Sequence, residues 1–195
     1  MMFVDWHTIR PIEGSQNTGF EELCSQIARV EKPPEAEFIR NGPPDAGVEC
    51  YAVVTDGSEW GWQAKYFWNL GTAQWRELDE SIMTALGKHP RLARYIVYLP
   101  MDLPEVLLGG KRSEREKWVE HVSKWQETAS SKGWHFDFIL GGSSELIGFI
   151  AQSDWSGHRF FWFDTRYLNQ PWFRSMLSEA IVSAGPLYKS ELNVG

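Results

Sequence analysis

The stretch "GVECYAVVTDGSEWGWQAKYF", residues 47–67, constrains this chain more than any other. Two runs rich in β-branched and aromatic residues flank Asp56-Gly57, which reads as strand, tight turn, strand. Side chains alternate between the faces of a strand, so Gln63 and Lys65 point the same way. The run around them is otherwise filled by Trp62, Tyr66, Phe67 and Trp68. Lysine is among the residues least often buried without a partner, so this strand needs something for Lys65 to meet.

Glu49, on the first strand of the pair, is the candidate, sharing a face with Tyr51 and Val53 while Val48, Cys50 and Ala52 point oppositely. Whether it shares a face with Gln63 depends on the turn. A two-residue Asp56-Gly57 loop sets Glu49 opposite Ala64 and separates the polar groups. A three-residue loop of Thr55, Asp56 and Gly57 pairs Val54 with Ser58 and Glu49 with Gln63, with Gly57 in the left-handed last position that this loop class favours. A bulge shifts the register instead. A polar cluster therefore requires the odd loop or a bulge.

The remaining chain alternates helix and strand. "TGFEELCSQIARV" places Phe20, Leu23, Cys24 and Ile27 on one helical face with Thr18 as a cap. "EKPPEAEFIRNGPPDAG" reads as irregular, broken by its prolines and glycines. "TAQWRELDESIMTALGKHP" is a second helix, and "SEREKWVEHVSKWQETASSKG" a third, with Ser113 and Glu116 as a capping box and Gly133 as the stop. "RYIVYLP", "WHFDFIL" and "RFFWFD" read as strands, "SSELIGFIAQ" as a short helix and "QPWFRSMLSEAIVSAG" as the closing helix. The expected architecture is α/β, a central mixed sheet flanked by helices on both faces. Residues 1–185 are read as one domain and 186–195, "PLYKSELNVG", as an exit segment leading to a further module.

Composition narrows the function classes. With 43% hydrophobic and 23% charged residues among 195, the chain buries a core. Its net charge of -7 argues against a free-standing nucleic-acid binder, though not against an enzyme with a basic group in one cleft. Cys24 and Cys50, the only cysteines, lack metal-type spacing and suit a reducing cytoplasm. Neither a signal peptide nor a membrane-spanning run is visible, so no membrane partner is expected. The five histidines form no zinc pattern.

A carboxylate, an amide oxygen and a backbone carbonyl suit a hard cation such as Mg²⁺. Phosphodiester cleavage needs a water activated at neutral pH and relief of charge at phosphorus. A bound Mg²⁺ provides both, and an adjacent lysine stabilises that charge or orients the water.

Glu49 followed fourteen residues later by Gln63-Ala64-Lys65 resembles the D/E-x(n)-Q-x-K variant of the PD-(D/E)XK nuclease motif, as in Mrr-like restriction endonucleases. "GFEELCSQI" resembles the first helix of that family. Together with "HPRLARYIVYLPMDLP", "GGSSELIGFI" and "FFWFD", the stretch is similar to nuclease effector domains at the N-termini of bacterial antiphage STAND NTPases of the AVAST type, over about residues 3 to 173. The resemblance implies a restriction-endonuclease-like fold and an Mg²⁺-dependent (Mn²⁺ also suitable) DNA endonuclease. It implies Glu49 as principal metal ligand, Gln63 in the place of the second acid, Lys65 as catalytic lysine and Glu21 as the helix glutamate. Glu21 is preferred to Glu22 because it lies at the edge of the apolar face. The implied partners are double-stranded DNA and further copies brought together through a larger parent chain, the activity serving antiviral defence.

Other readings of the same residues stand beside this one. Thr18-x-x-Glu21 matches a capping box in which Glu21 only closes a helix. Glu49 and Lys65 match a plain cross-strand ion pair. Asp45 sits in a turn-forming "PPDAG", a second-rank candidate. Lys111 and Arg112 suit either phosphate or a solvated helix start, and "GGSSEL" lacks the lysine of a P-loop and reads as a capped helix. A nuclease-fold module without catalysis, or a nuclease for RNA or single strands, remains the alternative.

Overall fold

The computed structural model describes residues 4–42, 47–105, 112–163 and 170–184. Asp45, Lys111 and the expected exit segment 186–195 lie outside the described residues. Among those described, the chain runs α1 (Gln16–Glu31), β1 (Glu37–Arg40), β2 (Cys50–Val53), β3 (Glu59–Ala64), α2 (Thr72–Lys88), β4 (Leu92–Tyr98), α3 (Glu114–Ser131), β5 (Asp137–Gly141), α4 (Ser143–Ile150), α5 (Ser156–Phe163) and α6 (Gln170–Ala184). The strands form one sheet in the order β1-β2-β3-β4-β5. Pairing is antiparallel from β1 to β3 and parallel from β3 to β5. This is the expected mixed α/β sheet.

The parallel half explains the layers. Strands that run the same way need crossover helices, and α2 and α3 supply them. They bury Trp75, Leu78, Ile82, Trp118 and Trp125 with Tyr95 and Val97 of β4. On the opposite face α1, α4 and α5 bury Phe20, Leu23, Ile27, Leu146 and Trp162 with Trp62, Ile96 and Tyr98. β4 thus alternates between two cores, which is why "YIVYL" is apolar throughout. Each large apolar side chain so buried contributes about 1.5–3 kcal/mol.

Two expectations are corrected. The proline-rich segment before the hairpin contains β1, a four-residue strand pairing Glu37 with Val53 through Arg40 with Cys50. Pro33 and Pro34 precede it, so it is confined to a short stretch on the sheet edge, where proline and irregular flanks are tolerated. The other correction is "RFFWFD", expected as a strand: residues through Phe163 are the end of α5. Four consecutive aromatics carry strand propensity, but helical burial overrides it here. Trp162 is 1% exposed while Phe160 and Phe161 are exposed, and its indole Nε1 donates to Gln26 Oε1 of α1 at 3.0 Å.

The helix cap is corrected too. Ser15, not Thr18, caps α1, its hydroxyl accepting from Thr18 N. Glu21 therefore lies beyond the first turn and has no capping role. At the far end of α1, Glu31 Oε2 accepts from Trp62 Nε1 at 2.7 Å and Tyr98 Oη at 2.5 Å. Burial, then the Glu31 charge, pushes the Tyr98 hydroxyl well up, so it stays a donor. The helix is thereby fixed across β3 and β4, and Glu21 sits about 15 Å up a rigid rod from that anchor.

Candidate functional site

The hairpin turn is the three-residue one. Val54 N donates to Ser58 O, Gly57 N donates to Val54 O, and Gly57 has φ +82. The ladder runs from Val53–Glu59 to Cys50–Trp62. One residue earlier Glu49 N also donates to Trp62 O, at 2.9 Å, so Trp62 faces both Glu49 and Cys50 in the manner of a bulge. The three-residue loop, one of the two alternatives open to the polar cluster, is the one present.

The segment carrying Glu49 is tightly held. Gly47 has φ +80, and a Cβ there would stand 2.3 Å from Ser81 O and 2.5 Å from Ala85 N of α2. Its carbonyl accepts from Tyr95 Oη at 2.7 Å. Asn41 grips the next two residues, Nδ2 donating to Val48 O and its backbone N to Glu49 O, both at 2.9 Å. Position 47 requires glycine on sterics and on φ alike.

A cavity of about 460 Å³ is lined by Thr18, Glu21, Arg40, Asn41, Glu49, Gln63 and Lys65. The structure thus gathers all four candidate residues from α1, the residue before β2, and the end of β3 with the residue after it. Gln63, 2% exposed, donates from Nε2 to Glu49 Oε1 at 3.0 Å, and Ala64 N donates to the same oxygen at 3.2 Å. Two donors on one oxygen fix the position of this carboxylate. Glu21 Oε1 accepts from Asn17 Nδ2 at 2.6 Å, one turn back along α1.

Both carboxylates act on one corner of the core. The buried Cys24 thiol is pushed well up, by burial first and then by Glu49, Cys50 and Glu21. Cys50 is pushed up to about 12 by burial and by Glu49.

Lys65 meets a residue that the sequence did not single out. Its Nζ stands 2.9 Å from Glu77 Oε1 on α2, with Lys65 15% exposed and Glu77 52%. The plain Glu49–Lys65 ion pair is not formed. Arg40, delivered by the unforeseen β1, lines the same cavity and pairs with Glu22 of α1. Among the described residues, both cations lining the cavity are therefore held by carboxylates that do not line it.

Among the described residues no three His, Cys, Asp or Glu side chains gather as a metal-holding group. Among the described residues the cavity instead offers two carboxylates, the Gln63 and Asn41 amides and the Thr18 hydroxyl as oxygen ligands, beside two cations that are each paired with a carboxylate. That donor set fits a hard cation such as Mg²⁺ that keeps several waters and borrows substrate oxygens. Arg112 pairs with Glu120 at 2.5 Å on α3. The α4 start, with Asp102 accepting from Ser144 N and Oγ, is a capped helix as expected.

No protein-family model matches the chain, and no curated protein matches it.

Proposed function

We propose that the domain is a divalent-cation-dependent endonuclease acting on duplex DNA, the effector part of a larger antiviral protein. The observation that carries this reading is the convergence of Glu21, Glu49, Gln63 and Lys65 on one cavity. Glu49 and Glu21, with the Gln63 amide oxygen, are the residues that would hold Mg²⁺ or Mn²⁺. Such a cation supplies polarisation of the phosphoryl oxygens and an activated water at neutral pH. The chain's own contribution is positional. Gln63 Nε2 and Ala64 N fix the Glu49 carboxylate. Lys65 brings a cation against the charge that grows on the scissile phosphate and orients the attacking water. Arg40 exchanges Glu22 for a neighbouring phosphate.

The net charge of -7 supports clustering as a condition for action, because an isolated acidic module binds DNA weakly and gains from avidity. A second reading, a nuclease-fold module without catalysis, is favoured by the exposed Phe173, Leu177 and Val182 of α6, which suit a protein interface.

Supercoiled plasmid, single-stranded DNA and RNA, each with Mg²⁺ or EDTA and at low and high protein concentration, separate these readings. Metal-dependent nicking of plasmid, rising with protein concentration, is expected. Inertness on all three, even after fusion to an oligomerising partner, would leave the interaction module.

A further inference from the structure

Lys65 and Glu49 line one cavity, yet the ammonium pairs with Glu77 of α2 rather than with Glu49. The alternative pairing is within reach. Glu49 is bonded to Gln63, two residues before Lys65, and diagonal neighbours across a strand pair stand close enough for a long side chain to bridge. Had Lys65 closed onto Glu49, it would cancel the charge of the cavity's best-anchored carboxylate and exclude a cation from it.

We infer that Glu77 is a positioning residue: its carboxylate holds the Lys65 ammonium on the α2 side of the cavity, so that Glu49 keeps its charge for a divalent cation. This rests on the cation-binding reading of the cavity. The exposures suit the task. Lys65 is 15% exposed, whereas Glu77 is 52% exposed. An ion pair with a half-exposed carboxylate is weak and screened by salt, so an entering phosphate can take the ammonium over without a large barrier. Arg40 repeats the pattern, lining the cavity and pairing with Glu22 of α1, which does not line it. Sequence alone gives no sign of this, because Glu77 is twelve residues from Lys65 and on a helix that packs against another part of the sheet.

The test is a double-mutant cycle read by Mn²⁺ binding, with the free-ion electron-spin-resonance signal as probe and no nucleic acid present. The four proteins are wild type, Glu77→Gln, Lys65→Ala and the double variant, each checked for its wild-type melting profile. Glu77→Gln is expected to weaken Mn²⁺ about tenfold, by freeing Lys65 to close on Glu49. Lys65→Ala is then expected to tighten binding about tenfold in the Glu77→Gln background but less than about twofold in wild type. A purely long-range charge effect gives the same factor for Lys65→Ala in both backgrounds, and that result overturns the inference while sparing the cation site. Wild type without any Mn²⁺ site overturns the underlying reading, and the inference falls with it.

Discussion

One strand carries two acidic clusters, and they differ in kind. At its start, Glu59 is 5% exposed and its carboxylate is matched oxygen by oxygen: Oε2 to His89 Nδ1 at 2.8 Å, Oε1 to Arg91 Nη2 at 2.9 Å and Nε at 3.2 Å. At its end, Gln63 and Lys65 share a cavity with Glu49 and Glu21. In the first cluster both oxygens of the acid are taken up by His89 and Arg91. In the second the described cations pair with Glu77 and Glu22, which do not line the cavity, and the acids line a space large enough for a hydrated ion. A buried charge that is fully matched belongs to the fold. Acids gathered around a cavity whose cations are engaged elsewhere fit a ligand.

The sharpest way to break this comparison is to remove charge from the cavity end. Lys65→Ala or Glu49→Ala should lower Mg²⁺-dependent plasmid cleavage about a thousandfold. Their melting temperatures, read by circular dichroism, should stay within a few degrees of wild type. Loss of the fold in both would move the cavity into the structural class.

Gly47→Ala tests whether the cavity depends on the backbone that presents Glu49. The added Cβ meets Ser81 O and Ala85 N of α2 and sits at positive φ, so urea denaturation should show a loss of about 3 kcal/mol. Cleavage by the folded fraction should fall as well, since the change displaces Glu49 without altering its chemistry. A neutral result would mean that α2 yields there.

At the matched end, Glu59→Gln should cost about 2 kcal/mol by the same measurement, through weakened bonds to His89 and Arg91. The half-solvated Arg91 limits that loss. Cleavage per folded molecule should be unchanged.

The smallest effect is confined to alkaline pH. Cys50 keeps its proton in the fold up to about 12, whereas in the unfolded chain it loses it near 9.0. The folded state therefore binds more protons between these values, and this contribution is present below pH 9.0 and declines as pH rises towards 12. Denaturation midpoints should fall across that window, and Cys50→Ala should flatten the decline. Alkylation at pH 8 should likewise be slow in the native protein and fast in urea.

These differences also explain what was legible in the sequence. Glu49, Gln63 and Lys65 belong to one hairpin, where a three-residue loop with glycine at its left-handed position dictates which residues meet. Sequence narrowed the turn to two lengths, and the structure selects the three-residue one. Glu21 was legible from its place on the apolar edge of α1, although its cap was assigned to Thr18 when Ser15 makes it. Arg40 and Asn41 were not, because β1 lies among prolines and owes its existence to pairing with β2. Glu77 and Glu22 reach their partners only through helix-on-sheet packing, for which sequence spacing carries no signal. The aromatic run of α5 failed for a related reason: four aromatics in a row have no period of two or of 3.6, and only Trp162 docking on α1 decides between them. No helix among the described residues is long and apolar enough to cross a membrane.

The most direct test of the central claim sets Glu49→Gln beside Glu59→Gln in one plasmid-cleavage assay with Mg²⁺, each protein held well below its melting temperature. Glu49→Gln should be folded and silent, and Glu59→Gln less stable yet active at the wild-type rate. Wild-type cleavage by Glu49→Gln, or loss of cleavage by a folded Glu59→Gln, would contradict the division of this strand into a structural end and a functional one.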